Sequence, residues 1–575
     1  RDRNTYVFTH ALIRATLYDE LSTPRRIQLH RRVAEALESL YADSIDDLLG
    51  VLAAHYMAST GNTAGKAVEY SIRAGDRARE LFAWEEAAGH YQRALEAMDV
   101  TDATRDEERC RVLLSLAKCQ AVQSGGAESI PTLRDAAALA RLTGSTDLFA
   151  DAAIAFEQLA HHVEQDMSDE RLSLLDEADR ILEGAETVQR VHVLCWRARA
   201  AAAVAGARSG SAIAGFSVFA GPKDPAVLAQ SREALALAER LGDDEAIAVA
   251  CDGLHSYAWM PDNLEERLDL TERACAAGSR RGSVQQLQNW LSARMAPLLE
   301  AGDIPRLRTT ADELVALVER SRLRNWGAAA VQIALEAAEG QLTLADASST
   351  RWASDYSGEP DVAVGSVAQL AIIRHLQGRF PELEPLWRAV VGRFPGVPVY
   401  SAAFALLHAH NGNDAAATSI IDDLVTDGLS RIPRDFLWKA TTNLLADACG
   451  EIEYLPPAQS LYDALLPYAS HNATIAWLMT YGSMARTLGR LVALLERWDE
   501  AEQHFEMALA ANERMGFHAW TAWTRLNYGE MLLRRNRPGD RERAVALLSD
   551  ALAFGTQSGM GKVQRDSERL LSIMN

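Results

Sequence analysis

A small–aromatic–small pattern, set behind a glycine one helix upstream, most constrains what this chain can become. Gly75…Trp84-x₂-Ala87-x₃-Tyr91-x₂-Ala94 near the start reappears as Leu488-Gly489…Trp498-x₂-Ala501-x₃-Phe505-x₂-Ala508 near the end. Small residues let two helices approach closely, and the ring fills the gap against the next pair. Self-similarity at a period of about 34–45 residues marks an α-solenoid rather than one enzyme core. Tight turns fall near Trp84, Leu264, Ile304, Leu342, Phe380, Asp414, Leu455 and Trp498. Several carry explicit punctuation: Ala301-Gly302-Asp303-Ile304-Pro305, Gln377-Gly378-Arg379-Phe380-Pro381 and Asn411-Gly412-Asn413-Asp414. Gly ends one helix there, and Pro or Asp begins the next. Apolar residues recur at helical spacing almost throughout, with no convincing strand alternation. The expected fold is all-α: a superhelical α-solenoid of helical hairpins with a short helical junction at its N-terminus.

Within that frame, residues 1–60 read as the junction. An amphipathic helix runs from Phe8 to Leu21, Ser22-Thr23-Pro24 caps the next, and Ile27, Val33, Leu37 and Leu40 form its stripe. Residues 61–205 form a first block of hairpins and residues 226–575 a second. Between them, 206–225 is an expected loop or break, because Gly210, Gly215, Gly221 and Pro222 interrupt the helical pattern.

The net charge of −21 argues against a general nucleic-acid surface, since phosphate neutralisation needs a basic footprint. No apolar run approaches the roughly 18 residues of a membrane span. The six cysteines, Cys110, Cys119, Cys195, Cys251, Cys275 and Cys449, show no C-x-x-C spacing, and read as buried thiols in a reducing cytoplasm.

Motifs for chemistry are weak. Gly61-Asn62-Thr63-Ala64-Gly65-Lys66-Ala67 is one residue short of a phosphate-binding loop and lacks the hydroxyl that would hold Mg²⁺, so it reads as a helix cap. Asp422-Asp423…Asp427 has the look of a diphosphate–Mg²⁺ motif but is interleaved with Ile420, Ile421 and Leu424, which favours a solvated helix edge. His161-His162 and His408-x-His410 lack the i, i+4 spacing of a helical zinc site. Asn472-Ala473-Thr474 fits a glycosylation sequon, a pattern short enough to arise by chance. No catalytic residue, metal site or cofactor is expected within this chain. Projecting the first helix of each hairpin onto a concave groove instead gives ligand candidates: Asp252, Trp259, Asn289, His375, Asn443, Asp447, Arg486, Arg490, Trp523 and Glu530. Polar residues mixed with aromatics suit a peptide or small-molecule groove.

The hairpins resemble tetratricopeptide repeats, most strongly around 71–98 and 485–514. The N-terminal stretch is more specific. Phe8-x-His10-Ala11-Leu12-Ile13-Arg14-x₂-Leu17-Tyr18, then Arg25-Arg26-x₂-Leu29-His30-Arg31-Arg32-Val33-Ala34-Glu35-Ala36-Leu37, resembles the junction that follows the ATPase in large bacterial STAND-type regulators. Leu52-Ala53-Ala54-His55-Tyr56 and Ala67-Val68-Glu69-Tyr70-x₃-Ala74-Gly75 continue the likeness. The resemblance implies a phosphate-loop ATPase and winged helix upstream of Arg1, which alone would carry ATP and Mg²⁺. It also implies an output: a class III nucleotide cyclase or a LuxR-type helix-turn-helix. Since the chain opens without Met, it is expected to be a segment of something longer; if Asn575 is the natural end, the cyclase-linked or output-less arrangement is favoured over the transcription factor, and otherwise both stay open. The expected partners are a protein, peptide or small-molecule inducer in the groove and the chain's own ATPase module, with oligomerisation on activation. Neither direct nucleic-acid binding nor a membrane is expected. Two rival readings stand beside this one: a free-standing repeat scaffold, and an α/α-toroid enzyme with paired carboxylates in a central cavity.

Overall fold

A computed structural model describes residues 16–59, 61, 63–100, 105–124, 128–160, 167–208, 223–281, 283–321 and 324–574. The start of the expected first helix, His161-His162 and most of the 206–225 segment lie outside the described residues. The chain divides into two compact units, Arg1–Trp196 and Arg197–Asn575. Both are stacks of antiparallel helices, and the fold is an all-α solenoid of helical hairpins.

In the first unit, Ala64–Glu80 and Trp84–Asp99 form the hairpin that carries the N-terminal signature. A Cβ at Gly75 would sit 2.7 Å from the Tyr91 ring, so the missing side chain is what admits that ring. Tyr91 is buried and donates to Asp76 at 2.7 Å. Lys66 of the short phosphate-loop look-alike bonds Glu38 at 2.6 Å, a structural tie between helices. The expected stripe on Thr23–Leu40 is not the face that packs. Ala34 is its buried residue and Leu37 packs beside it, while Ile27, Val33 and Leu40 stay exposed.

In the second unit the first helices of successive hairpins are α1 (Asp244–Tyr257), α2 (Val284–Ala301), α3 (Gly327–Glu339), α4 (Pro360–Leu376), α5 (Pro398–His410), α6 (Trp438–Glu451), α7 (Met484–Leu494) and α8 (His518–Arg535); α9 (Gly561–Met574) ends the array. Their partners begin at Leu264, Ile304, Leu342, Asp414, Ala458, Trp498 and Asp540, with a 3₁₀ turn at Phe380–Leu383 leading into Glu384–Arg393. The turns thus fall at or within three residues of the positions the sequence marks.

The first helices lie inside. Every residue of α7 is buried, and so is every residue of α6 from Trp438 to Cys449. A helix buried all round normally reads apolar all round; α6 and α7 instead carry Asn443, Asp447, Arg486 and Arg490 inward. The array also closes on itself. The Gly561 amide donates to the Gln377 carbonyl at 3.1 Å, and Asn472 donates to the Leu299 carbonyl at 2.8 Å.

One element departs from the sequence expectation. An antiparallel hairpin, β1 (Asn472–Ile475) and β2 (Met479–Ser483), packs among α2, α3, α4, α6 and α8. It is short and buried on both faces apart from Ile475, so no polar–apolar alternation announces it. Asn472 of the sequon is a buried strand residue.

Candidate functional site

Two features sit side by side inside the second unit: a charged network and an apolar pocket. Arg486 on α7 grips Asp447 on α6 with both terminal nitrogens, at 2.9 and 2.7 Å. One turn further, Arg490 donates to the same carboxylate at 3.0 Å and to Glu451 at 3.2 Å. Lys562 at the start of α9 completes the chain, 2.9 Å from the other Glu451 oxygen. Burial pushes the Asp447 and Glu451 carboxyls up, but the guanidiniums beside them outweigh it and hold both below the usual range, with Lys562 adding to the effect on Glu451. Carboxylates so engaged are not poised as acid or base near neutral pH.

Around this network the structure gathers seven of the ten sequence candidates. Asn443 approaches Asp447 at 3.4 Å, and Glu530 feels Arg490, although burial still raises its pKa. His375 stacks on Trp523 with centroids 4.6 Å apart, and on His410 at 5.3 Å. Burial pushes His375 down to about 3 and His410 to about 4, so both imidazoles are neutral at physiological pH. The remaining three stand apart. Trp259 is buried against Phe436 and under Arg267, Asp252 is half-buried on α1, and Asn289 is exposed on α2. Asp422 and Asp423 are engaged by Tyr454 and Arg431. All six cysteines are buried, and none forms a disulfide with another described residue.

His375 also lines the pocket, which opens between α4, α5, α6 and the β-hairpin. It holds about 700 Å³ of space, part of it open to solvent. Phe380, Trp387, Tyr400, Phe436 and Tyr481 give it aromatic walls, and no charged side chain lines it. The Trp387 indole is fixed by its bond to the Tyr400 carbonyl at 3.0 Å. None of these five walls except Phe380 lies on a turn the sequence singles out. Glu451 was within reach of sequence reasoning, lying one turn beyond Asp447 on the same face. Lys562 and Tyr481 were not, because their placement depends on closure and on the strand.

Residues 480–557 match the tetratricopeptide repeat family. This stretch is a tetratricopeptide-repeat region. It spans α7, α8 and their partner helices. No curated protein is significantly similar in sequence to this chain. Among solved structures, yeast Tom70 is similar at 10% identity over 89% of this chain and 96% of that one, with a TM-score of 0.29. The Cut9–Hcn1 hetero-tetramer of APC/C is similar at 13% identity over 87% and 96%, TM-score 0.32. A circular tandem repeat protein is similar at 15% identity over 96% of each chain, TM-score 0.15. Among the described residues, no helix is long and apolar enough to cross a membrane.

Proposed function

We propose that this chain is an interaction and sensing module whose second unit reads a partner or inducer, and that it serves a STAND-type signalling ATPase. The observation that carries the reading is the tetratricopeptide-repeat region at 480–557, whose α7 supplies Arg486 and Arg490 to the charged network with α6 and α9 and whose Tyr481 lines the neighbouring pocket. Stacked hairpin repeats of this type create extended binding surfaces. The likeness of residues 8–75 to the junction of STAND regulators supports the ATPase context. On this reading ATP and Mg²⁺ belong to the ATPase module, and the repeats restrain it until an inducer favours one arrangement over the other. An inducer that bound both equally would shift nothing.

The test compares ATP turnover of the full-length protein with that of a form lacking residues 61–575. Restraint predicts higher turnover in the shortened form. Equal turnover removes the autoinhibitory role, and a gene encoding no ATPase beside this segment replaces it with the free-standing scaffold.

A further inference from the structure

We infer that the pocket between α4, α5, α6 and the β-hairpin binds a small, uncharged, apolar molecule. This names the inducer class for the sensing reading and rests on it for biological purpose, while occupancy itself is read separately.

Shape comes first. The space is walled by several elements and part of it is open to solvent, so the occupant is small and meets water at one side. Charge comes next. With no ionised side chain on the wall, a charged ligand would shed its water and find no counter-charge. The buried carboxylate of Asp447, one turn beyond the lining residue Leu444, is already held by Arg486 and Arg490.

Polar surface on the lining is almost absent, and the unpartnered His375 Nδ1 lies beneath the wall with no exposed surface of its own. Such a wall cannot satisfy an extended peptide, which brings one N–H and one C=O per residue and needs a partner for each. A small molecule therefore fits this cavity better than a polypeptide segment. The wall is also rigid, since Phe380 meets Trp387 edge to face at 6.0 Å while the indole is held to the Tyr400 carbonyl. Rigid aromatic surface lowers the ordering cost of binding. Because the lining comes from α4, α5, α6 and the β-hairpin together, an occupant bridges all four.

The experiment titrates the whole chain with N-phenyl-1-naphthylamine, a neutral fluorescent probe. The expected result is a saturable fluorescence rise at one probe per chain, with slower amide exchange over 364–406 and 472–483. Ala403→Trp and Ala368→Phe fill the pocket from different helices, and each should weaken the probe by about tenfold or more with far-UV circular dichroism unchanged. The anionic relative 8-anilinonaphthalene-1-sulfonate should likewise bind about tenfold more weakly. Non-saturating binding, equal affinity for the anion, unchanged affinity in a folded filling variant, or exchange protection confined to other segments would each overturn the proposal. The protection pattern decides the matter on the unmodified chain should both variants fail to fold. Since ATP turnover is not read, loss of the sensing reading leaves these outcomes intact, and the reverse holds too.

Discussion

Asp447 receives two guanidiniums while itself only a few per cent exposed, which makes it sensitive to the loss of either. Arg486→Met leaves a buried carboxylate with one fewer partner and should cost about 3–5 kcal/mol, read from urea unfolding. His375 sets a pH dependence of definite sign. Its folded pKa, pushed down to about 3 by burial with His410 adding to the effect, lies far below the unfolded value of about 6.5. Between those limits the unfolded chain binds the extra proton, so stability is lost as pH falls below about 6.5. His410 is shifted the same way, whereas Glu530 is raised and opposes at lower pH. Comparison with His375→Phe isolates the single group. The variant's unfolding free energy should fall less steeply between pH 6.5 and 4.5, by up to about 1.4 kcal/mol per pH unit. At this scale the sequence was informative where spacing on one helix suffices. Asn443 with Asp447, and Arg486 with Arg490, are i, i+4 pairs that any helical projection places on one face.

Among elements, the two copies of the opening signature do the same physical job. A Cβ on Gly489 would stand 3.0 Å from the Phe505 ring, as one on Gly75 would crowd Tyr91. Gly489→Ala should therefore destabilise by about 1–3 kcal/mol despite the better helix propensity of alanine. Gly392, on a helix with no neighbour in reach of a Cβ, provides the contrast: Gly392→Ala should stabilise by about 0.5–1 kcal/mol. Thermal melts of the two variants should move in opposite directions. Such turns and close contacts are legible because Gly, Pro and Asp announce helix ends and small residues announce approach. The β-hairpin was not legible for a physical reason. Its strands are four and five residues long and buried on both faces apart from Ile475, so they lack the alternation that identifies a half-exposed strand. Nor did spacing betray it: the interval between the Leu455 and Trp498 turns is 43 residues, against 41 for the interval before it.

At the largest scale, the second unit differs from an open array because its end is fastened to its middle. Gly378, with φ of 70°, lies so close to α9 that a Cβ would be 2.4 Å from the Lys562 amide nitrogen. Gly378→Val should both strain that turn and push α9 away, and the expected signature is faster amide exchange across Gly561–Met574 and loss of the Lys562–Glu451 bridge. Unchanged exchange there would mean that the fastening carries no weight. The groove expected from sequence assumed an open concave face; the residues projected onto it are mostly interior because the array turns back and the hairpin fills the inside.

That return has a kinetic consequence. Contacts such as Arg565 to the Gly378 carbonyl join residues 187 positions apart, whereas an open repeat stack is built from neighbours. Loop-closure entropy must be met before those contacts yield anything, and mean sequence separation governs folding speed. The second unit should therefore refold more slowly than an unclasped stack of the same length.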